Sequence, residues 1–217
     1  MAVSAGFPGL FSPMAMALGA PEDAWPSAAA RPRTAGRFGC YPLAMNIILF
    51  GYRGCGKTSM GRLLAEQLWK KFVDVDDEIC RRFENKTVAQ IWQEHGEPAY
   101  RQVEVEVTRE LCSGEEQVIA LGGGTLMQPG AREAVEQAKA VRIYLYCELD
   151  ELHRRIEADP RTAATRPQLT AHGGGRDEIE AVLNVRDPVY RAVADHTFDV
   201  THLNVEDGVR YLIQKCM

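Results

Sequence analysis

The segment from Gly51 to Thr58, GYRGCGKT, has the residue types of a phosphate-binding loop. It fits the pattern G-x-x-x-x-G-K-[ST], in which the glycines let successive backbone N–H groups point at phosphate oxygens. The lysine of such a loop reaches the β- and γ-phosphates, and the next hydroxyl ligates Mg²⁺. A plain glycine turn would not explain Lys57-Thr58, and we expect Lys57 to face phosphate rather than the core. The predicted nucleotide-binding residues are Gly54, Cys55, Gly56, Lys57, Thr58 and Ser59.

Two carboxylates, Asp74 and Asp76, lie two positions apart at the end of a short apolar run. We predict that this run is a strand that continues through Asp76, in which residues two apart face the same way. Two neighbouring negative charges are unfavourable unless a cation or hydrogen-bond donors offset them. The pair therefore predicts Mg²⁺ and a polyhydroxylated ligand. The alternative is an acidic strand-to-helix turn in which Asp77 caps the next helix.

A triple glycine and several arginines add a possible second binding site. Gly122, Gly123 and Gly124 follow a further apolar run. Successive glycines lose much conformational entropy on folding, so a close approach of the backbone to a ligand is one reason for them, and a simple loop is the other. Arginine binds carboxylates and phosphates through a fixed fork of donors, although each arginine alone could equally be a surface residue. The candidate arginines are Arg101, Arg166 and Arg186.

Alternating strands and helices are predicted to position these residues. Apolar runs of strand length occupy Asn46–Tyr52, Phe72–Asp76, Gln117–Leu121, Val141–Cys147 and Phe198–Thr201. Helical patterns occupy Lys57–Lys71, Thr87–Cys112 (interrupted near Gly96 and Pro98), Pro129–Ala138, Asp150–Ala158, Asp177–Ala194 (perturbed at Pro188) and Val205–Lys215. This alternation predicts an α/β fold in which helices cover both faces of a parallel sheet. Ligands of such sheets bind at the carboxyl ends of the strands, where the glycine-rich and acidic segments lie.

The first 44 residues differ in composition from the rest of the chain. They are rich in alanine, proline and glycine and have no apolar periodicity as long as a helix. We predict that residues 1–44 are a disordered extension or reflect a start codon assigned too early, with a targeting peptide as the alternative. The folded domain is predicted to span residues 45–217, because Met45 directly precedes the first strand.

Composition and charge exclude several classes of protein. The 217 residues carry a net charge of −5, which argues against a general nucleic-acid binder because phosphate backbones require a strongly basic face. No apolar run approaches the roughly 20 residues that span a membrane. The six cysteines are scattered without a C-x-x-C pair, which favours reduced thiols in a cytoplasmic protein over a disulfide framework or a zinc site.

From Met45 to the C-terminus the sequence resembles the shikimate kinases. The resemblance rests on the order and spacing of GYRGCGKTSMG, FVDVDD, PAYRQVE, LGGGT, TRPQLT and RDPVY, and leaves only the N-terminal extension uncovered. It implies the P-loop NTPase fold of the nucleoside-monophosphate-kinase type. That fold has a five-stranded parallel sheet, helices on both faces and a mobile lid, here at about residues 159–175.

The resemblance also implies roles on the nucleotide side. Thr58 and Asp74 would serve Mg²⁺, the implied cofactor. Arg166 would close over the ATP phosphates from the lid. Lys57 and Arg166 would act in catalysis together with Asp76.

On the substrate side, the resemblance implies that Asp76 binds a hydroxyl and is the candidate general base. Arg101 and Arg186 would hold the substrate carboxylate. The pocket lining would come from Gly122, Gly123 and Gly124.

The implied activity is ATP-dependent phosphorylation of the 3-hydroxyl of shikimate to shikimate 3-phosphate, on the route to the aromatic amino acids. The expected partners are ATP and shikimate, with no nucleic acid and no membrane, and the expected state is a cytoplasmic monomer. One alternative is another small-molecule kinase of this fold, such as gluconate kinase. The other is a regulatory P-loop NTPase, which would be expected to carry an acidic Walker B residue that the later strands lack.

Overall fold

The computed structural model describes residues 44–159 and 175–216. Five strands lie in this part of the chain: β1 (Asn46–Phe50), β2 (Lys71–Asp74), β3 (Gln117–Ala120), β4 (Ala140–Tyr146) and β5 (His196–Asp199). The helices described are α1 (Lys57–Leu68), α2 (Val75–Arg82), α3 (Val88–Ser113), α4 (Pro129–Gln137), α5 (Leu149–Ala158), α6 (Arg176–Val193) and α7 (Val205–Cys216). A short 3₁₀ turn, Thr125–Met127, follows β3.

The strands form one parallel sheet in the order β2-β3-β1-β4-β5. The first strand therefore lies in the middle, and the chain crosses to one side for β2 and β3 and to the other side for β4 and β5. This reversal places the loop after β1 beside the loop after β3, at the carboxyl edge of the sheet, where ligands of such folds bind.

Two apolar clusters cover the two faces of the sheet, because alternate residues of each strand point in opposite directions. Ile47 and Leu49 of β1 belong to a cluster with α1, α5 and α7. Ile48 and Phe50 belong to a second cluster with α2, α3 and α4. Helix α6 contributes to both clusters, so it spans the boundary between the faces. The predicted doubly covered parallel sheet is confirmed.

The predicted interruption of α3 is confirmed, whereas two other elements differ from the prediction. Helix α3 is broken at Gly96 (φ 80°, ψ 158°) and resumes at once. Pro98 therefore lies in the first turn of the second segment, where a backbone N–H would have no acceptor within the helix and its absence is tolerated. Helix α6 continues through Pro188. Strand β5 begins at His196 instead of Phe198, since His196 pairs with Ile143 at a sheet edge that the apolar pattern does not reveal.

Among the described residues, no helix combines the length and the apolar character needed to cross a membrane.

Candidate active site

The loop between β1 and α1 has the backbone geometry of an anion-binding turn. Gly56 adopts φ 95°, in the left-handed region that favours glycine, and it is the N-cap of α1. No side chain caps this helix, so its first N–H groups remain directed at the loop. Such an uncapped N-terminus presents N–H donors and a partial positive charge to an anion. The six predicted nucleotide-binding residues all lie in this loop or in the first turn of α1.

Lys57 does not extend from this loop as we expected. Its side chain is buried, and its ammonium group donates hydrogen bonds to the carbonyl oxygens of Gly51 (3.0 Å) and Tyr52 (2.8 Å). The expectation was wrong because the loop curls back over its own lysine, and its carbonyls satisfy the charge locally. To reach a phosphate, the ammonium group has to exchange these carbonyls for phosphate oxygens.

The acidic pair is arranged differently from the predicted strand end. Strand β2 ends at Asp74, and Asp76 lies in the first turn of α2. Asp74 is the N-cap: its carboxylate accepts hydrogen bonds from the Asp76 N–H (3.0 Å) and the Thr58 hydroxyl (2.7 Å). The alternation argument for Asp74 and Asp76 is therefore wrong, because the capping carboxylate of Asp74 ends the strand two residues earlier than predicted. The proposed Asp77 cap is also wrong, since Asp77 is exposed and pairs with Arg62.

The environment of Asp74 suits a divalent cation. Burial, followed by repulsion from Asp76, raises the pKa of the Asp74 carboxyl above its usual value. A cation would relieve both effects, because it replaces lost hydration and offsets the neighbouring charge. Asp74 and Thr58 offer hard oxygen ligands of the type that Mg²⁺ takes alongside phosphates and water. The residues that the sequence singles out for Mg²⁺ are thus adjacent and chemically suitable.

A cleft opens beside the loop at the carboxyl edge of the sheet. Its lining combines three arginines, two acids, three glycines, two aromatic residues and a valine. They are Arg53, Arg101, Arg186, Asp76, Glu104, Gly122, Gly123, Gly124, Trp92, Tyr100 and Val88. Every substrate-side residue predicted from the sequence lies in this cleft.

The triple glycine leaves room for the charged side chains of the cleft. A Cβ atom on Gly122 would lie 2.6 Å from Asp76 Oδ1, and one on Gly124 would lie 2.9 Å from an Arg101 guanidinium nitrogen. A Cβ on Gly123 would lie 3.5 Å from Arg186 Nη1. Two functional side chains thus approach Gly122 and Gly124 closely, a reason for glycine that we had not foreseen, whereas a Cβ on Gly123 would make only ordinary contact. The turn brings together residues from α2, α3 and α6.

The two arginines predicted to bind a carboxylate have different surroundings. Arg101 is shared between Glu104 (2.8 Å) and Glu97 (3.0 Å). Arg186 donates to the carbonyl oxygen of Gly123 at 2.7 Å. Within the described residues, Arg186 has no carboxylate partner. It is therefore the guanidinium of the cleft that is best placed to take up the charge of an anionic ligand.

Two charged residues of the cleft were missed in the sequence analysis. Glu104 is 1% exposed and accepts hydrogen bonds from Thr125 (2.6 Å) and Arg101. Burial, opposed by Arg101, raises its pKa. The sequence did indicate this position, because Glu104 lies four residues after Tyr100, which is buried, and residues four apart lie on the same side of a helix.

Arg53, the other missed residue, is an interior position of the phosphate-binding loop. Its guanidinium pairs with Glu178 in the first turns of α6 at 3.2 Å, and the Glu178 side chain is fully buried. This ion pair ties the loop to the helix that carries Arg186. No local pattern pairs residues 125 positions apart, so the sequence offered no signal for it.

Arg166 and residues 160–174 of the predicted lid lie outside the described residues, as do residues 1–43 of the predicted extension. The roles assigned to them stay predictions.

Comparisons with known proteins agree with this arrangement. The family described as "Shikimate kinase" matches residues 53–217. A shikimate kinase of Methylococcus capsulatus is 38% identical over 168 residues, covering 77% of this chain and 90% of the relative. One of Rhodopirellula baltica is 36% identical over 162 residues, covering 75% and 85%.

Solved structures give the same result. The shikimate kinase of Acinetobacter baumannii in complex with shikimate superimposes with a TM-score of 0.72 at 33% identity, covering 79% of this chain and 92% of that one. The enzyme of Bacteroides thetaiotaomicron gives a TM-score of 0.67 at 30% identity, covering 78% and 97%. The resemblance seen in the sequence is confirmed: the chain belongs to the shikimate kinase family.

Proposed function

We propose that this chain transfers the γ-phosphoryl group of ATP to the 3-hydroxyl of shikimate, giving shikimate 3-phosphate and ADP. The observation that carries the proposal is the cleft beside the phosphate-binding loop, in which a carboxylate and two arginines meet one triple-glycine turn. A hydroxylated acid offers a partner to each of these groups. Family membership favours shikimate over gluconate, the other anionic polyol considered.

The loop and the start of α1 would bind the ATP phosphates through backbone N–H groups and Lys57. Asp74 and Thr58 would hold Mg²⁺, which when bound with ATP offsets the charge of the phosphates. The Lys57 ammonium group would leave the Gly51 and Tyr52 carbonyls for phosphate oxygens, a change from weaker neutral acceptors to stronger charged ones. Arg166 would add a further positive charge from the lid.

The acidic substrate would lie in the cleft with its carboxylate on Arg186 and Arg101. Arg186 would contribute a guanidinium that has no acidic partner in the described part of the chain, whereas Arg101 is already oriented by Glu104. Asp76 would accept a hydrogen bond from the reacting hydroxyl. With both ends of the substrate held, the hydroxyl faces the phosphate-binding loop.

In the chemical step the substrate oxygen bonds to the γ-phosphorus as the bond from phosphorus to the β,γ-bridging oxygen breaks. The hydroxyl proton passes to the Asp76 carboxylate, and ADP leaves with the electron pair of the broken bond. Phosphoryl transfer of this kind depends mostly on alignment and charge stabilisation. A rigid cleft beside a phosphate-binding loop provides the alignment, and the lysine and loop N–H groups provide the stabilisation.

We also propose that the chain acts in the cytoplasm, which rests on its scattered cysteines and on the absence of sequence signals for a membrane, and that it acts as a monomer. Light scattering on the purified chain tests the oligomeric state.

The assay that tests the proposed function couples ADP release to NADH oxidation with ATP, Mg²⁺ and a panel of hydroxylated acids. Shikimate should give the highest kcat/KM, with gluconate much lower and water lower still. A preference for gluconate, or ADP release that is independent of any acceptor, would overturn the proposal. Omitting Mg²⁺ should abolish the activity, and adding it back should restore it.

A further inference from the structure

Tyr100 is a buried residue of the cleft whose hydroxyl points at the proposed base. The phenol is 3% exposed, and it donates a hydrogen bond to Asp76 Oδ1 at 2.8 Å. We infer that Tyr100 is a positioning residue for phosphoryl transfer, whose hydroxyl fixes the direction of the Asp76 carboxylate. This inference rests on the proposed function, because it assigns Tyr100 a task in the reaction that Asp76 would serve.

Tyr100 is suited to donate this hydrogen bond and not to accept a proton itself. Burial, followed by repulsion from Asp76, raises the pKa of Tyr100 well above its usual value. The phenol therefore keeps its proton throughout the neutral range. It acts as a fixed donor, and the proton of the substrate hydroxyl has to go elsewhere.

The hydrogen bond completes the fixation of Asp76. Its backbone N–H donates to Asp74 Oδ1, and this hydrogen bond fixes the position of the Asp76 backbone. The torsion that turns a carboxylate about its last bond is broad and weakly restrained by itself. Oδ1 lies between the Tyr100 hydroxyl and Gly122, so close to Gly122 that a Cβ atom added to this glycine would be 2.6 Å from Oδ1. Because one oxygen is held there, the direction of the second oxygen is set as well.

The ring of Tyr100 also supports the proposed carboxylate-binding group. The guanidinium carbon of Arg101 lies 5.4 Å from the centroid of the Tyr100 ring and 5.4 Å from that of Trp92. The two rings meet edge to face, with centroids 6.1 Å apart. One residue thus contacts both the group assigned to the substrate hydroxyl and a group assigned to its carboxylate. A fixed spacing between those groups favours alignment of the reacting hydroxyl.

The break in α3 places Tyr100 at this position. Gly96 has non-helical torsions, and the helix resumes just before Tyr100, so Trp92 and Tyr100 come from opposite sides of the break. Their ring contact spans the break and packs into the apolar cluster on that face of the sheet. The hydroxyl is therefore carried by a rigid support and not by a free loop.

A double-mutant cycle tests the inference. Tyr100→Phe removes one oxygen atom and keeps the ring that supports Arg101. It should lower kcat about tenfold or more, the effect of losing one hydrogen bond to a charged group, while KM for ATP stays within about twofold. In an Asp76→Asn background the same substitution should change kcat by less than about twofold, because the carboxylate on which it acts is gone. The substrate in this cycle is whichever acid of the panel the wild-type chain phosphorylates best. A wrong assignment of shikimate as substrate is thereby distinguished from a wrong assignment of the role of Tyr100.

The matched control is Tyr211→Phe, which removes the hydroxyl of a partly exposed tyrosine on α7 and should leave kcat unchanged. Wild-type kcat in Tyr100→Phe would overturn the inference. An equal loss in the Asp76→Asn background would also overturn it, because Tyr100 would then act independently of Asp76. If melting shows that Tyr100→Phe does not fold, Gly122→Ala replaces it, since its methyl group would crowd the same Oδ1. That variant should lower kcat at unchanged ATP KM, and an unchanged kcat would again refute the role of Oδ1.

Discussion

Replacement of Arg186 by alanine should weaken the binding of acidic substrates and leave nucleotide binding intact. The Arg186 guanidinium donates to the Gly123 carbonyl and has no acidic partner in the described part of the chain, so its remaining N–H groups are suited to a ligand carboxylate. Arg101→Ala is the less selective perturbation. It would leave Glu104, which is 1% exposed, without its cation and so affect folding as well as binding.

The size of the effect follows from the bond that is lost. A hydrogen bond to a charged group contributes about 1.5–3 kcal/mol, and 1.4 kcal/mol corresponds to about tenfold in an equilibrium constant. Since the guanidinium is half-buried, solvent screens part of this interaction. We expect Arg186→Ala to raise the shikimate KM roughly ten- to hundredfold, with the ATP KM within about twofold of wild type. Arg186→Lys should give an intermediate value, because lysine keeps the charge but lacks the planar fork.

The assay compares shikimate with its neutral carboxamide, using ADP release for wild type and variant. The penalty should largely vanish for the amide, because a substrate without a negative charge gains little from the arginine. Arg210→Ala on α7, an exposed arginine paired with Asp207, is the control and should change neither KM. Equal losses on acid and amide, or no loss on either, would refute the carboxylate-binding role of Arg186.

Three further predictions concern the loop, an ion pair and the extension. Lys57→Met should lower kcat at least about a hundredfold, because the charge that would stabilise the phosphates is lost. It should also lower the melting temperature, because two loop carbonyls lose their donor. Near-normal turnover would exclude the loop as the ATP site. Glu178→Ala should lower the free energy of unfolding, measured with guanidinium chloride, by about 3–5 kcal/mol, because it leaves Arg53 without its buried partner. The exposed control Glu180→Ala should lower it by about 0.5 kcal/mol or less, and equal effects would contradict this account. Deletion of residues 1–44 should leave kcat and melting unchanged, and loss of the thermal transition would show that the extension belongs to the fold.

The features that the sequence predicted well depend on local patterns. The phosphate-binding loop is a contiguous motif between a buried strand and a helix, and its geometry follows from glycine at Gly56 and a helix start at Lys57. The parallel sheet follows from continuously apolar strands that alternate with amphipathic helices. In both cases the determining residues are neighbours in the chain, so a pattern is sufficient to find them.

The features that were predicted wrongly or missed depend on side-chain partners from elsewhere in the chain. Asp74 both caps α2 and accepts from Thr58, and this cap ends β2 earlier than its apolar pattern suggests. Lys57 is buried because the loop folds over it, which no residue pattern encodes. Arg53 and Glu178 pair across 125 positions. Such contacts are decided by tertiary packing, which overrides local preference.

The most direct test of the account is the structure of the product. Purified protein is incubated with shikimate, ATP and Mg²⁺, and the product is examined by ³¹P and ¹H NMR. The account predicts one monoester phosphate whose phosphorus couples to the proton on carbon 3, together with one equivalent of ADP, and much less of the same product from Asp76→Asn over the same period. Phosphate on another hydroxyl, or ADP accompanied only by inorganic phosphate, would contradict it.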